Sequence, residues 1–155
     1  KLSQMETAMF LARAKADEVS KDYHDALVLA ADQILSCGEL RLDKPMGYDG
    51  LEAHLRQLQG RAHELVNATV IVQSERVVWQ YQDSITMVMR QLSDAFIDSY
   101  IREVGETAYQ SVGGYHLEGM GAQLFDSIDG DFFSILGLPL LPLLGFLRSR
   151  EVVVS

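Results

Sequence analysis

Three charged residues stand at places in the sequence where they could do chemistry. Asp32 directly follows the apolar run ALVLAA, which is typical of a buried strand, and ligands of open α/β sheets bind at strand ends. Aspartate is also a common helix cap or turn residue, so both interpretations stay open. Lys44 follows an expected hairpin return, and Glu118 stands among the glycines of GGYHLEGMG.

The lysines have two interpretations each. A hairpin return would bring Lys44 back near Asp32, either as a plain ion pair or as a mobile cation that holds phosphate oxygens. Because Pro45 follows, Lys44 is expected to have an extended backbone that fixes its direction. Lys15 lies in a helical pattern, and the sequence alone favours an exposed side chain for it.

Glu118 suits the recognition of a base. A carboxylate accepts two hydrogen bonds side by side, and a purine with adjacent N–H donors, such as guanine, offers that pair. The surrounding glycines would let the backbone come close to a ligand. His116 could be a ligand or a base, but a single histidine without a visible partner is more often structural, and the same holds for His63. Cys37 is interpreted as a small apolar filler rather than a nucleophile.

The first half of the chain should position Asp32 and Lys44. Apolar residues at helical spacing predict a helix over Leu2 to Ser20. DALVLAADQIL predicts a strand that ends at Asp32 and is covered on both faces. SCGELRL then indicates a turn and a return, and a helix is expected from Tyr48 to Leu58.

The second half predicts a hairpin and two helices. HELVNATVIVQ and RVVWQYQDSITMVMR are rich in strand-forming residues, with SER as the turn between them. Ser93 should cap a helix that stops at Gly105. Gly137 to Pro139 should end a strand and lead into a last helix through Arg148. Residues 1–155 thus predict a single α/β domain with a mixed sheet flanked by helices.

Composition excludes several classes of partner. The 155 residues carry 22 acidic against 13 basic side chains, a net charge of −9, and 48% are hydrophobic. This globular but acidic chain has no basic cluster, which argues against nucleic acid and anionic membranes as partners. The apolar run from Ile135 to Leu147 is short and broken by glycine and proline, so it predicts a core element. With one cysteine and no signal peptide, a cytoplasmic location is expected.

Four segments in order, AADQIL, LDKP, LQGRAHEL and GGYHLEGMGAQLFDSIDGDFFSILGLPL, resemble the Maf family of nucleotide pyrophosphatases. The resemblance covers nearly the whole chain. It implies an elongated α/β fold shared in outline with inosine triphosphate pyrophosphatases. It also implies hydrolysis of a nucleoside triphosphate to the monophosphate and pyrophosphate with Mg²⁺ or Mn²⁺. The implied cellular role is removal of modified nucleotides, with an older link to septum formation, and family members are often homodimers.

The resemblance assigns roles to individual residues. Asp32 matches the catalytic aspartate, which accepts a proton and could also hold the metal. Lys44 matches the lysine of a Gly-Lys-Pro motif, although Asp43 replaces the glycine here, and Lys15 matches a lysine on the first long helix. Both lysines are then expected to bind phosphate. Gln33 and Glu118 match two positions linked to substrate choice.

The pair Asp32-Gln33 together with Glu118 resembles the branch that acts on 7-methyl-GTP, whereas the branch that prefers dTTP or UTP resembles Asp-Thr and Gln. The resemblance also implies three family features before Lys1: a first strand, a Ser-rich loop with two arginines, and an acidic residue. The site residues named above are therefore expected to form only part of the site. Three alternatives stay open: a nucleotide-binding regulator of septum formation and cell division without turnover, a pyrophosphatase that prefers dTTP or UTP, and a purely structural role for the charged residues.

Overall fold

Helices flank pairs of strands along residues 2–154, the part of the chain that the computed structural model describes. The helices are α1 (Gln4–Ser20), α2 (Gly47–Leu58), α3 (Asp94–Val104), α4 (Phe132–Ile135) and α5 (Leu140–Ser149). The strands are β1 (Val28–Cys37), β2 (Leu40–Leu42), β3 (Ala62–Gln73), β4 (Arg76–Met89) and β5 (Phe125–Asp129). Three 3₁₀ segments cover Gly105–Gln110, Val112–Gly114 and Met120–Leu124.

The five strands form one sheet in the order β2-β1-β3-β4-β5. The outer pairs, β1 with β2 and β4 with β5, are antiparallel. Side-chain contacts give the direction of β3 against β1, because Gln33 contacts Asn67 while Cys37 contacts Ala62. The expected α/β domain with helices flanking a sheet is confirmed, and its sheet is antiparallel where a mixed sheet was expected.

A two-residue turn joins β3 to β4, as the sequence SER predicted. Ser74 and Glu75 have φ of 49° and 62°, values that a two-residue hairpin turn requires at both central positions. The Ser74 amide and hydroxyl both donate to the carbonyl oxygen of His24, at 2.9 and 3.2 Å. The turn is therefore held from outside the hairpin, which offsets the cost of positive φ at two residues that are not glycine.

Strand β1 continues beyond Asp32, contrary to the prediction that it ends there. It runs on to Cys37, and its last four residues are buried. Leu29 is 42% exposed, so the first part of the strand is less covered than expected. β2 pairs only with Leu35–Cys37. Within the described residues, the earlier part of β1 therefore lacks a neighbour on the β2 side and forms an edge of the sheet.

Helix α1 is confirmed and is fixed at both the cap and the core face. Ser3 accepts from the Glu6 amide at 3.2 Å, and the Glu6 carboxylate accepts from the Ser3 amide at 2.7 Å, which is a reciprocal capping box. Its buried residues repeat every four positions and are all small: Ala8, Ala12, Ala16 and Ser20. This small-residue face lets the helix pack closely, which sets the position of Lys15, the neighbour of Ala16.

The other local signals have mixed outcomes. Ser93 caps α3 by accepting from the Phe96 amide at 3.2 Å, and Gly105 ends the helix at φ 55°, both as predicted. The last helix also forms as predicted, with Pro139 as its cap. However, Gly137 follows the short helix α4 and not a strand. Asp131 caps α4 and favours that helix, because its carboxylate accepts from the Ser134 amide at 2.9 Å.

The described residues divide into two compact units. The first holds residues 2–33, 66–84 and 131–154, and the second holds residues 34–65 and 85–130. In the described part of the chain, no helix is both long and apolar enough to cross a lipid bilayer. Lys15, Asp32 and Gln33 belong to the first unit, whereas Lys44 and Glu118 belong to the second.

Candidate active site

Asp32 is paired with Lys15 at the exposed edge of β1. The Lys15 ammonium lies 2.6 Å from Asp32 Oδ1 and 3.1 Å from the carbonyl oxygen of Ala31. The Asp32 side chain is 13% exposed and that of Lys15 57% exposed. The sequence alone favoured a simple surface position for Lys15, so the pairing is a finding of the structure.

The free oxygen of Asp32 suits a proton or a metal ion. Lys15 binds Oδ1, and Oδ2 has no hydrogen-bond partner within residues 2–154. Those residues contain no group of three or more His, Cys, Asp or Glu side chains that could form a metal cage. Magnesium is commonly bound through one or two carboxylates together with substrate phosphates. The donor set therefore fits a metal ion that binds with a triphosphate and is held by Asp32.

Gln33 is held by its amide nitrogen. Nε2 donates to Asn67 Oδ1 at 2.9 Å and to the carbonyl oxygens of Ser134 and Ile135, each at 3.2 Å. Because all three partners accept, the orientation of the amide is fixed by chemistry. Any ligand of Gln33 must then meet Oε1, which has no partner in the described chain. Neighbouring residues of a strand face opposite sides, and Asp32 and Gln33 accordingly have different partners.

Three residues that the sequence interpretation missed surround Gln33. Asn67 Nδ2 donates to Asp83 Oδ1 at 3.1 Å and to the Ser134 carbonyl oxygen at 2.9 Å. The Ser134 hydroxyl donates to Asp83 Oδ2. Asn67 and Ser134 are buried. A signal for Asn67 was available, because an amide inside the apolar run LVNATVIV requires a hydrogen-bonding partner.

Lys44 lies on the loop between β2 and α2. It is exposed, and its neighbour Pro45 is buried. Asp43, which replaces the expected glycine, has a side chain that is 87% exposed and 3.9 Å from the Arg41 guanidinium. Lys44 has no ion pair within residues 2–154, so its ammonium is available to an anion. The predicted approach of Lys44 to Asp32 stays a prediction.

Glu118 is exposed and lies beside one histidine, His116. Its Oε1 lies 3.6 Å from His116 Nδ1, and 52% of its side chain is exposed. His116 Nε2 lies 3.0 Å from the Thr107 carbonyl oxygen, and only a protonated nitrogen can donate to a carbonyl group. In the neutral ring Nδ1 then has no proton, so Glu118 keeps both carboxylate oxygens free to accept.

His63 is structural, as a lone histidine was expected to be. Its Nε2 lies 2.9 Å from the Tyr115 hydroxyl, and the Tyr115 ring packs edge-on against Phe125. Burial lowers the pKa of His63 to about 4, so the ring is neutral at pH 7. Burial also raises the pKa of Tyr115, which keeps its hydroxyl protonated. These contacts anchor the start of the glycine-rich segment before Glu118.

Glycine 121 is required for a close approach of the chain to itself. A Cβ atom there would lie 2.4 Å from the His116 carbonyl oxygen, and two more backbone atoms of His116 lie within 3.0 Å. A Cβ atom at Gly119 would meet the same oxygen at 3.7 Å, an ordinary contact. The glycine at 121 is thus explained by packing within the segment that carries Glu118, without a ligand.

Gly121→Ala is therefore expected to lower the free energy of unfolding by about 1–3 kcal/mol, since backbone atoms must move to relieve the overlap. Gly119→Ala is the matched control and should have much less effect. Thermal melts of the two variants would test this. Equal melting temperatures would show that the segment adjusts without cost and would contradict the packing explanation.

Fold and sequence together place the chain in a family. The family of Maf-like proteins matches residues 1–150, and the chain belongs to it. It is 48% identical over 151 residues to the 7-methyl-GTP pyrophosphatase of Rhizobium meliloti (strain 1021), covering 97% of this chain and 76% of that protein. It is 45% identical over 147 residues to the nucleoside triphosphate pyrophosphatase of Paramagnetospirillum magneticum (strain ATCC 700264 / AMB-1), covering 95% and 76%. The nucleoside triphosphate pyrophosphatase of Hyphomonas neptunium (strain ATCC 15444) is 45% identical over 153 residues, covering 99% and 77%.

Proposed function

We propose that this protein is a nucleoside triphosphate pyrophosphatase that hydrolyses a triphosphate to the monophosphate and pyrophosphate. The observation that carries the proposal is the contact between Lys15 and Asp32, in a chain whose relatives bear that enzyme name. Removal of modified nucleotides is the corresponding cellular role. Among these, 7-methyl-GTP is the proposed substrate, because two further relatives of 46% and 45% identity also have that name.

Asp32 and Lys15 supply complementary parts of the reaction. Asp32 Oδ2 takes a proton from the attacking water as the water oxygen bonds to the α-phosphorus. The bond from that phosphorus to the oxygen that bridges to the β-phosphorus breaks at the same time. Lys15 holds Oδ1, which fixes the direction of Oδ2. Its exposed ammonium offsets negative charge on the phosphates. Phosphate binding by Lys44 is a separate proposal, based on the resemblance and on its exposed side chain. Pyrophosphate then leaves with the bridging oxygen and the electron pair of the broken bond.

A divalent cation completes the proposed reaction. Mg²⁺ or Mn²⁺, when bound, polarises the phosphate oxygens and neutralises charge that develops on them. Asp32 would contact it together with the triphosphate, and because Oδ2 takes the proton, the triphosphate would supply most of the ion's ligands. No other role for the ion is needed to account for the residues of this site.

Gln33 and Glu118 are proposed to select the base. Both present hydrogen-bond acceptors, Gln33 through Oε1 and Glu118 through its carboxylate. Guanine carries adjacent N–H donors, and 7-methylation adds a positive charge that a carboxylate favours. Each role is separate from bond cleavage and is tested by its own substitution. A homodimer and a cytoplasmic location stay predictions from the sequence.

Pyrophosphate release from a panel of triphosphates tests the activity. We expect equimolar monophosphate and pyrophosphate, with 7-methyl-GTP above dTTP and UTP. Release of orthophosphate would assign a different hydrolase. Nucleotide binding in calorimetry without any cleavage would favour the regulator of cell division in place of the enzyme.

Removal of the metal gives a second expected result. EDTA should abolish pyrophosphate release, and Mg²⁺ should restore it. Because the described residues form no metal cage, Mg²⁺ alone should leave the melting temperature unchanged, whereas Mg²⁺ with a non-hydrolysable triphosphate should raise it. A rise with Mg²⁺ alone would indicate a resident metal site and would contradict the assignment of Asp32 as a single ligand.

A further inference from the structure

The carboxylate of Asp83 fixes the orientation of a buried amide. Asn67 Nδ2 donates to Asp83 Oδ1 and to the Ser134 carbonyl oxygen. An ionised carboxylate and a carbonyl group can only accept, so a flipped Asn67 would place oxygen against two oxygens. Because Asn67 is 1% exposed, water cannot relieve that mismatch. Asn67 must therefore point Oδ1 towards Gln33.

The orientation of Asn67 determines that of Gln33 in turn. Gln33 Nε2 donates to Asn67 Oδ1, and the carbonyl oxygens of Ser134 and Ile135 accept from the same nitrogen. A flipped Gln33 would place its own oxygen against three acceptors. Asp83, Asn67 and Gln33 thus form a chain of three side chains with one allowed direction, which we call the amide relay.

The free end of the amide relay lies beside the proposed reaction site. Gln33 is half-buried and directly follows Asp32 on β1. This part of β1 precedes the residues paired with β2, and Lys15 reaches the backbone there through the Ala31 carbonyl oxygen. A ligand along this edge can therefore meet side chains from both sides of the strand.

We propose that Asn67 and Asp83 are positioning residues that hold Gln33 as an obligate hydrogen-bond acceptor for the substrate base. The inference rests on the proposed function, which makes a nucleotide the ligand. It requires the base to offer an N–H group to Gln33 Oε1, such as the amino or imino group of guanine. A base with a carbonyl oxygen at the same place is rejected, because Gln33 cannot turn its amide nitrogen outwards.

Steady-state kinetics of Asn67→Ala test the relay. We expect the KM for 7-methyl-GTP to rise about tenfold, with kcat changed by less than about twofold, because the variant loosens base binding and leaves Asp32 in place. Asp83→Ala should act in the same direction. Asp83→Asn should keep the KM close to that of the wild type, because the amide oxygen of the new residue can still accept from Asn67 and its nitrogen can donate to the Ser134 hydroxyl.

Thr69→Val is the matched control. Thr69 lies two residues from Asn67 on β3 and is also buried, and its hydroxyl has no hydrogen-bond partner among residues 2–154. The Thr69→Val variant should leave the KM for 7-methyl-GTP unchanged. In a Gln33→Ala background, Asn67→Ala should have no further effect on KM, because the residue that it positions is gone. An equal rise of KM in that background, or an equal effect of Thr69→Val, would overturn the proposal.

An NMR measurement separates the relay from the activity. The side-chain amide protons of Gln33, assigned by their loss in Gln33→Ala, should exchange slowly with water in the wild type and about tenfold faster in Asn67→Ala. Equal exchange rates would overturn the relay even in an active enzyme.

If the wild type cleaves no triphosphate, the proposed function fails, and the relay is judged by this exchange and by calorimetry with GMP and UMP. Preference for GMP that Asn67→Ala abolishes would support it, and equal affinities would overturn it.

Discussion

Asp32→Asn is expected to lower pyrophosphate release by about 10³-fold while the fold stays intact. Asparagine is nearly the same size, but its amide takes no proton from water and offers no charge to a cation. The Lys15 ammonium would also lose its ionic partner at 2.6 Å. This pair is partly exposed, so its loss should cost little stability. The measurement is kcat for pyrophosphate release together with a thermal melt.

Asp17→Asn is the matched control for Asp32→Asn. Asp17 also lies in the first unit and pairs with Arg13 at 2.7 Å, one turn away on the same helix. Its loss should leave kcat unchanged. If well-folded Asp32→Asn keeps near-normal turnover, Asp32 has no catalytic role. If Asp17→Asn is as inactive as Asp32→Asn, the loss reflects general charge removal from this unit.

Glu118→Gln is expected to change base preference by about 10–100-fold without a matching change in bond cleavage. If Glu118 accepts two donors from guanine, glutamine replaces one acceptor with a donor, and two N–H groups then face each other. The variant should lose kcat/KM for 7-methyl-GTP and keep or gain activity on UTP and dTTP. The measurement is kcat/KM for all three substrates.

Glu106→Gln serves as the control for Glu118→Gln. Glu106 is another exposed glutamate of the second unit, in the 3₁₀ segment Gly105–Gln110. It should change none of the three kcat/KM values. A uniform decrease for all three substrates in Glu118→Gln would mean that Glu118 serves the metal or the reaction, and base recognition would have to be assigned elsewhere.

Elements with local signals were predictable from the sequence. Ser93 and Gly105 mark the ends of α3 through a side-chain cap and a positive φ, both properties of single residues. The end of β1 was not predictable in this way. Asp32 and Gln33 interrupt the apolar run, but backbone pairing with β3 does not depend on that pattern, and the strand continues to Cys37.

The candidate site also contains residues that the sequence could predict and residues that it could not. The sequence resemblance assigned roles to Asp32 and Lys15, and the structure adds that their side chains touch. The polar residues that orient Gln33, directly or through Asn67, come from three separate segments, β3, β4 and α4: Asn67, Asp83 and Ser134. No spacing rule connects such residues, since only the assembled sheet and helix bring them together. A polar residue within an apolar strand predicts a partner but does not identify it.

The two sets of contacts also differ in how far apart their members lie along the chain, with a consequence for folding. Lys15 and Asp32 are separated by 17 residues, whereas Gln33 and Ser134 are separated by 101. Contacts that close long loops cost more entropy and tend to form later. During synthesis from the N-terminus, the pair at Asp32 can form while α4 has yet to be translated. The Asp83–Asn67–Gln33 chain gains its Ser134 contacts only after the ribosome has released α4. Under the proposed roles, the group that orients the base is therefore completed after the Lys15–Asp32 pair.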